Sequence, residues 1–172
     1  MVASSLLDLI GDTPLVALSR LSPPGRTIYA KLEGQNPTGS VKDRVALKMV
    51  DSASLAPGAE LLEPTSGNTG ISLALVAKLK GLRLTCVMPA NATPERRALL
   101  ALYGAEIVDS PGELGSNGAV RLAQELVAAE PGRYTMLFQY ENEANPLAHY
   151  DGTGAEIARD LERVDALVAG RQ

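Results

Sequence analysis

Short apolar runs alternate with longer stretches of helical spacing along most of this chain. Residues 27–32 (TIYAKL) predict a strand, the Gly- and Pro-marked loop EGQNPTGS follows, and residues 41–54 have the spacing of an amphipathic helix. Residues 59–62 form a brief apolar run that ends at Pro64, and residues 69–80 (TGISLALVAKLK) predict a helix that Gly81 is placed to stop. Residues 82–88 (LRLTCVM) read as a buried strand. Thr93 and Pro94 then supply an N-cap and a first helical residue for ERRALLALY, which runs up to Gly104. A fourth strand is expected at 105–108, a helix at 117–130 before Pro131, and a fifth strand at 134–138. Beyond a polar turn around Asn145-Pro146, a helix at 155–163 and the start of a strand at 165–169 (DALVA) complete the pattern. Strands alternating with helices of this length predict an α/β fold with a parallel, doubly wound sheet and right-handed crossovers.

Composition narrows what such a fold can do. The 172 residues suffice for one ordinary domain, and 45% hydrophobic with 21% charged residues is a globular balance. A net charge of −4 argues against nucleic acid as a partner, since phosphate-backbone binding needs clustered Lys and Arg. No apolar run reaches the roughly 18 residues of a membrane span, and the first residues lack a basic, then apolar, secretory leader. The expected setting is cytoplasmic, with no membrane. The single cysteine, Cys86, sits in an apolar strand and reads as an inert thiol; one Cys and one His do not make a zinc site, so no metal is expected. His149 has no Ser or Cys partner at recognisable spacing and reads as a turn histidine, and Glu95, Arg96 and Arg97 read as a solvated first helical turn.

In open α/β sheets the chemistry lies in the loops at the carboxyl ends of the strands. The first loop that stands out is GQNPTGSVKDR, residues 34–44, which puts Lys42 at a helix N-terminus. There the helix dipole and any burial both favour the neutral, nucleophilic amine suited to a Schiff base. The alternative is a solvated lysine paired with Asp43 or Glu33, and spacing alone leaves the two open. The second loop is PTSGNTG, residues 64–70, in which Thr65, Ser66, Asn68 and Thr69 surround two glycines at a strand-to-helix turn. One N-cap needs one such residue and this loop offers four, which favours a site for a carboxylate or phosphate. No glycine fingerprint for a dinucleotide or a nucleotide-phosphate loop occurs.

Taken together, IGDTPLV at 10–16, KLEGQNPTGSVKDR at 31–44, EPTSGNTGISLAL at 63–75, ERRALLALYGAEIV at 95–108 and NPLAHYDGTGAEI at 145–157 resemble the cysteine synthase family, fold-type II enzymes that use pyridoxal 5′-phosphate. The YGAEIV and NPLAHY stretches look more like its B-type branch. The resemblance implies a sheet of the tryptophan synthase β-like type, with residues 34–139 as a smaller domain and residues 1–33 and 140–172 as part of a larger one that is incomplete here. It implies that Lys42 carries the cofactor as a Schiff base and that Asn68 bonds the cofactor's 3′-oxygen. It further implies that Thr65, Ser66, Gly67 and Thr69 clamp the substrate α-carboxylate, completed by Gln139. The family reaction is a β-replacement: an activated serine, O-acetylserine or O-phosphoserine, loses its leaving group after Lys42 takes the α-proton, and a sulfur donor adds to give L-cysteine. The implied partners are a small-molecule amino-acid substrate, a sulfur-carrier protein in some members, and a second copy in a homodimer.

The family's glycine- and threonine-rich phosphate loop is expected directly after Gly170, where the sequence reads Arg171-Gln172, so the chain reads as C-terminally truncated. Asp12 and Ala155 stand where the family usually has Asn and often has Pro. Two alternatives stay open: a cystathionine β-synthase, which shares TSGNTG and SVKDR, and a non-catalytic fragment or binding module docking on a full-length partner.

Overall fold

The computed structural model describes residues 2–55, 58 and 60–170. Its centre is a four-stranded parallel sheet of β3 (Glu60–Pro64), β4 (Leu84–Pro89), β5 (Glu106–Ser110) and β6 (Tyr134–Met136), in spatial order β5-β4-β3-β6. The two central strands, β3 and β4, are buried along their whole length, which is why they read as short continuous apolar runs. Leu61 pairs with Leu84 and Pro64 with Val87, so β4 runs two residues beyond the end of β3, to Pro89.

Helices cover both faces, as doubly wound topology requires. Leu61, Leu84, Cys86 and Met88 point toward α1 (Lys42–Ser52), α2 (Asn68–Leu79) and α3 (Pro94–Leu102), where they meet Val45, Met49, Leu73, Val76 and Leu100. Leu62 and Val87, one residue out of phase, face Ala119 and Ala123 of α4 (Gly115–Ala129) on the other side. Each large side chain buried here contributes about 1.5–3 kcal/mol, against about 1 kcal/mol net for a typical hydrogen bond, so these two apolar interfaces hold the layers together.

From β3 the chain steps to β4 and β5 with α2 and α3 on one face, then returns past β3 to β6 with α4 on the opposite face. Reversing both direction and face keeps all the crossovers of one hand. The reversal creates a topological switch point between the carboxyl ends of β3 and β6, the position where such sheets bind ligands.

Three expectations change. The strand expected at 27–32 forms as β2 (Tyr29–Lys31), but it pairs antiparallel with β1 (Leu15–Ala17) in a separate two-stranded sheet. Its half-exposed Tyr29 and polar Lys31 do not suit a strand covered on both faces. The helix expected at 155–163 stops at Asp160 as α6 (Ala155–Asp160), preceded by α5 (Ala144–Ala148) and a π-helical turn, His149–Gly154. Residues 165–169 form no strand: nothing pairs with them among the described residues, and Val168 is 93% exposed. Ala59 of the expected run at 59–62, and residues 171–172, lie outside the described residues.

Candidate active site

The loop after β3 turns into α2 at Gly67, which occupies the N-cap position with no side chain capping the helix. Thr65 Oγ1 accepts the N–H of Gly67 at 3.3 Å, and Ser66 and Asn68 do not bond to the first turn. The cap that one of these residues was available to supply is therefore not made; the Gly70 N–H donates to the Gly67 carbonyl at 3.1 Å, which leaves the N–H groups of Asn68 and Thr69 without a partner among the described residues and open to an anion. Thr65 and Thr69 are buried, Ser66 and Gly67 half-buried, and Asn68 exposed. Gly70 lets α2 seat this closely on the strand: a Cβ there would lie 2.9 Å from Thr65 Cγ2 and 3.5 Å from Cys86 Sγ.

Lys42 is the first residue of α1, and its N–H donates to Ser40 Oγ at 3.1 Å. Both carboxylates that could pair with it are committed elsewhere. Asp43, fully buried, accepts the Thr38 N–H at 2.8 Å, the Thr38 hydroxyl, and Ser72 Oγ at 2.5 Å. Glu33 accepts from Arg44 Nε at 2.7 Å, Arg44 Nη2 at 2.9 Å and Thr13 Oγ1 at 2.6 Å. The hydrogen bond that Ser72 donates to Asp43 ties the first turn of α1, which carries Lys42, to the second turn of α2, which follows the TSGNT turn. Sequence reasoning treated Asp43 as a partner for Lys42 and did not see this role.

The third contribution comes from the chain leaving β6. Gln139 Oε1 accepts a hydrogen bond from Thr69 Oγ1 at 2.7 Å, so the turns after β3 and β6 meet at the switch point. Behind them Glu63, fully buried on β3, accepts the N–H groups of Phe138 at 2.8 Å and Gln139 at 3.1 Å. Burial pushes the Glu63 carboxyl up to about 7 against the opposing pull of these donors. Glu63 was not picked out from the sequence, although an acidic residue closing the buried run ELLEP was the available signal.

Arg44 organises the flank. Besides Glu33 it bonds Glu156 through Nη1 at 2.5 Å and Nη2 at 2.8 Å, and Thr13 Oγ1 at 3.1 Å. Hydrogen bonds from Arg44 hold the Glu156 carboxyl down to about 2, helped by Lys31 at 2.6 Å. Gly11, at φ +91°, passes so close that a Cβ would meet Arg44 Nη1 at 3.0 Å. This cluster ties the amino-terminal segment and α6 to α1. His149 lies half-buried in the π-turn, 3.3 Å from Thr153 Oγ1, and its pKa is lowered by burial and by the charges of Lys42 and Arg44. Cys86 is buried, with its thiol pushed up to about 12 by burial and by Glu63. Arg97, expected in a solvated turn, instead donates to Asp109 at 2.5 Å and to the carbonyl of Ala90.

Among the described residues, the first two N–H groups of α2 have no partner, Lys42 heads α1 without an ion pair to a carboxylate, and the Thr69 hydroxyl meets the Gln139 carboxamide at the switch point, an arrangement able to receive an anion. The family model for pyridoxal-phosphate dependent enzymes matches residues 6–171, and the chain belongs to that family. Within it, the chain is 50% identical to cysteine synthase B of Salmonella typhimurium over 161 residues, which are 91% of this chain and 52% of that protein. It is 48% identical to cysteine synthase A of Escherichia coli over 166 residues, 94% of this chain and 51% of that one. A cysteine synthase structure from Entamoeba histolytica superimposes with a TM-score of 0.88 at 37% identity, covering 93% of this chain and 50% of its own. The chain thus spans about half the length of the curated relatives it matches.

Proposed function

We propose that this chain carries the lysine and the carboxylate clamp of a pyridoxal-phosphate-dependent cysteine synthase, making L-cysteine from an activated serine and a sulfur donor. The observation that carries the reading is the contact between Thr69 and Gln139 above an uncapped α2, next to a Lys42 whose neighbouring carboxylates are engaged elsewhere. In this reading residues 34–139 are the smaller domain, and residues 1–33 and 140–172 belong to the larger one.

Lys42 would hold the cofactor through its amine, and Asn68 would bond its 3′-oxygen. When bound, the cofactor supplies an electron sink for negative charge at the substrate α-carbon. The α-carboxylate would be held by the Thr65 and Ser66 hydroxyls and by the unpartnered N–H groups of Asn68 and Thr69 at the start of α2, with Gly67 leaving the backbone open to it and the helix dipole favouring the anion. Gln139 would complete the clamp through its carboxamide NH2, which the bond that its Oε1 accepts from Thr69 Oγ1 orients before substrate arrives. With the carboxylate held and the substrate's own amine taking its place on the cofactor, the freed Lys42 amine would take the proton from the α-carbon. The substrate is a small amino acid in the cytoplasm, the sulfur arrives as sulfide or from a sulfur-carrier protein, and the intact assembly is a homodimer. Among the described residues no helix is long and apolar enough to cross a membrane.

The test is acetate release from O-acetyl-L-serine by the cofactor-loaded protein. Release that depends on Lys42 is the expected result, and release no faster than that of Lys42→Ala overturns the reading.

A further inference from the structure

The geometry points to Glu63 as the positioning residue of the carboxylate clamp: from inside the sheet it fixes the backbone of Phe138 and Gln139, so that the Gln139 carboxamide meets Thr69. The inference rests on the clamp reading above and assigns a residue that touches neither cofactor nor substrate.

The backbone ladder between β3 and β6 runs to Leu62 and Met136, and the bond from Leu137 N–H to the Leu62 carbonyl, at 3.1 Å, is its last. One residue further on, the Glu63 side chain takes over from the backbone. Its two oxygens accept the consecutive N–H groups of Phe138 and Gln139, at 2.8 and 3.1 Å. Phe138 has φ +53°, a left-handed conformation that a phenylalanine adopts only when its surroundings impose it. That conformation turns two successive N–H groups toward one point, the arrangement that makes a backbone concavity for an anion, and Glu63 is the anion built into the fold. Packing of the Phe138 ring edge-on against Tyr140, at 5.6 Å between centroids, stabilises the same turn from outside.

The turn then delivers Gln139 to the site. Its Oε1 accepts from Thr69 Oγ1 at 2.7 Å, and its main-chain carbonyl accepts from Asn145 Nδ2 at 3.0 Å. A carboxamide at position 63 has one acceptor oxygen and an NH2 group, so it satisfies one of the two N–H groups and opposes the other. Glu63→Gln is therefore nearly isosteric, yet removes the feature the turn depends on.

The experiment combines amide hydrogen exchange, residue by residue, with calorimetric binding of L-serine as the carboxylate probe. It is run at pH 8 on the cofactor-loaded protein and on its Glu63→Gln, Gln139→Ala and double variants. In Glu63→Gln the amides at 138 and 139 are expected to exchange about 10–100-fold faster while those of Leu62 and Val87 keep their protection, and L-serine affinity is expected to fall about tenfold. The double variant should bind no more weakly than the weaker single one, because both changes act through one contact. Unchanged protection at 138 and 139, or additive losses of affinity, would overturn the inference. Should Glu63→Gln not fold, Gln139→Ala decides from the other end: protection at 138 and 139 must survive, and its loss would show that the carboxamide, and not Glu63, holds the turn. Accelerated exchange in Glu63→Gln with no L-serine binding even by the unmodified protein would support Glu63's hold on the turn while refuting the clamp reading.

Discussion

Replacing Arg44 with methionine removes the centre of the cluster that joins the amino-terminal segment, α1 and α6. The side chains of Arg44, Glu33 and Glu156 are 5%, 17% and 10% exposed, which puts these ion pairs outside the 0–1 kcal/mol regime of surface bridges. Methionine keeps most of the volume but withdraws five hydrogen bonds, two to Glu33, two to Glu156 and one to Thr13. The buried Glu156 and the half-buried Glu33 lose their main counter-charge, a situation that costs about 3–5 kcal/mol at pH 7. For a chain of this length that lowers Tm by about 6–20 °C. The pH dependence gives the argument a second handle. Glu156 is held at about 2 in the folded chain against 4.5 unfolded, so its contribution is fully present above pH 4.5 and is lost as pH falls toward 2. Without Arg44 that contribution disappears and the stranded carboxylates protonate more readily, so the gap between the two proteins narrows in acid. Urea unfolding at pH 7 and at pH 3.5 should show the difference shrinking by about half or more. A loss below about 1 kcal/mol at pH 7, or an equal loss at both pH values, would refute the reasoning.

Gly70→Ala places a methyl group 2.9 Å from Thr65 Cγ2 and is expected to cost about 1–3 kcal/mol, read as a fall in the urea midpoint at constant slope. Asp43→Asn weakens charge-assisted bonds to Thr38 and Ser72, and is expected to cost about 1.5–3 kcal/mol and to lower the yield of cofactor trapped on Lys42. Glu63 is raised to about 7 from 4.5, so between those values the folded chain keeps a proton that the unfolded chain has lost, and this group makes stability fall as pH rises. That shift corresponds to about 3 kcal/mol across the interval, and urea unfolding from pH 4.5 to 7.5 should show this downward contribution lost in Glu63→Gln, leaving the opposite slope that the lowered His149 supplies.

The alternating pattern made the sheet and its helices readable because β3 and β4 are covered on both faces and their connections are short. Lys42 and the TSGNT turn stand out in the sequence because loops at strand ends carry polar groups that a core would exclude, whereas Gln139 was implied only by the family resemblance. What joins them was not, since Asp43 to Ser72 and Glu63 to Phe138 and Gln139 are contacts between distant positions that no local spacing encodes. The segment at 27–32 has the strand-forming pattern, but its antiparallel pairing with Leu15–Ala17 depends on a partner too short to show periodicity. Residues 165–169 carry β propensity without a neighbour to pair with among the described residues, and propensity alone does not make a strand. The Arg44 cluster joins residues more than a hundred positions apart and was legible only as isolated charges.

The central claim is that Lys42, at the head of α1 and beside the TSGNT turn, is the amine that takes the cofactor. Its most direct test is to add pyridoxal 5′-phosphate to the purified protein, trap any imine with borohydride, and map the modified lysine by mass spectrometry against a Lys42→Ala control. Selective labelling of Lys42, accompanied by an imine absorbance that the control lacks, is the predicted result. Labelling scattered over the lysines, or equal in the control, would contradict it.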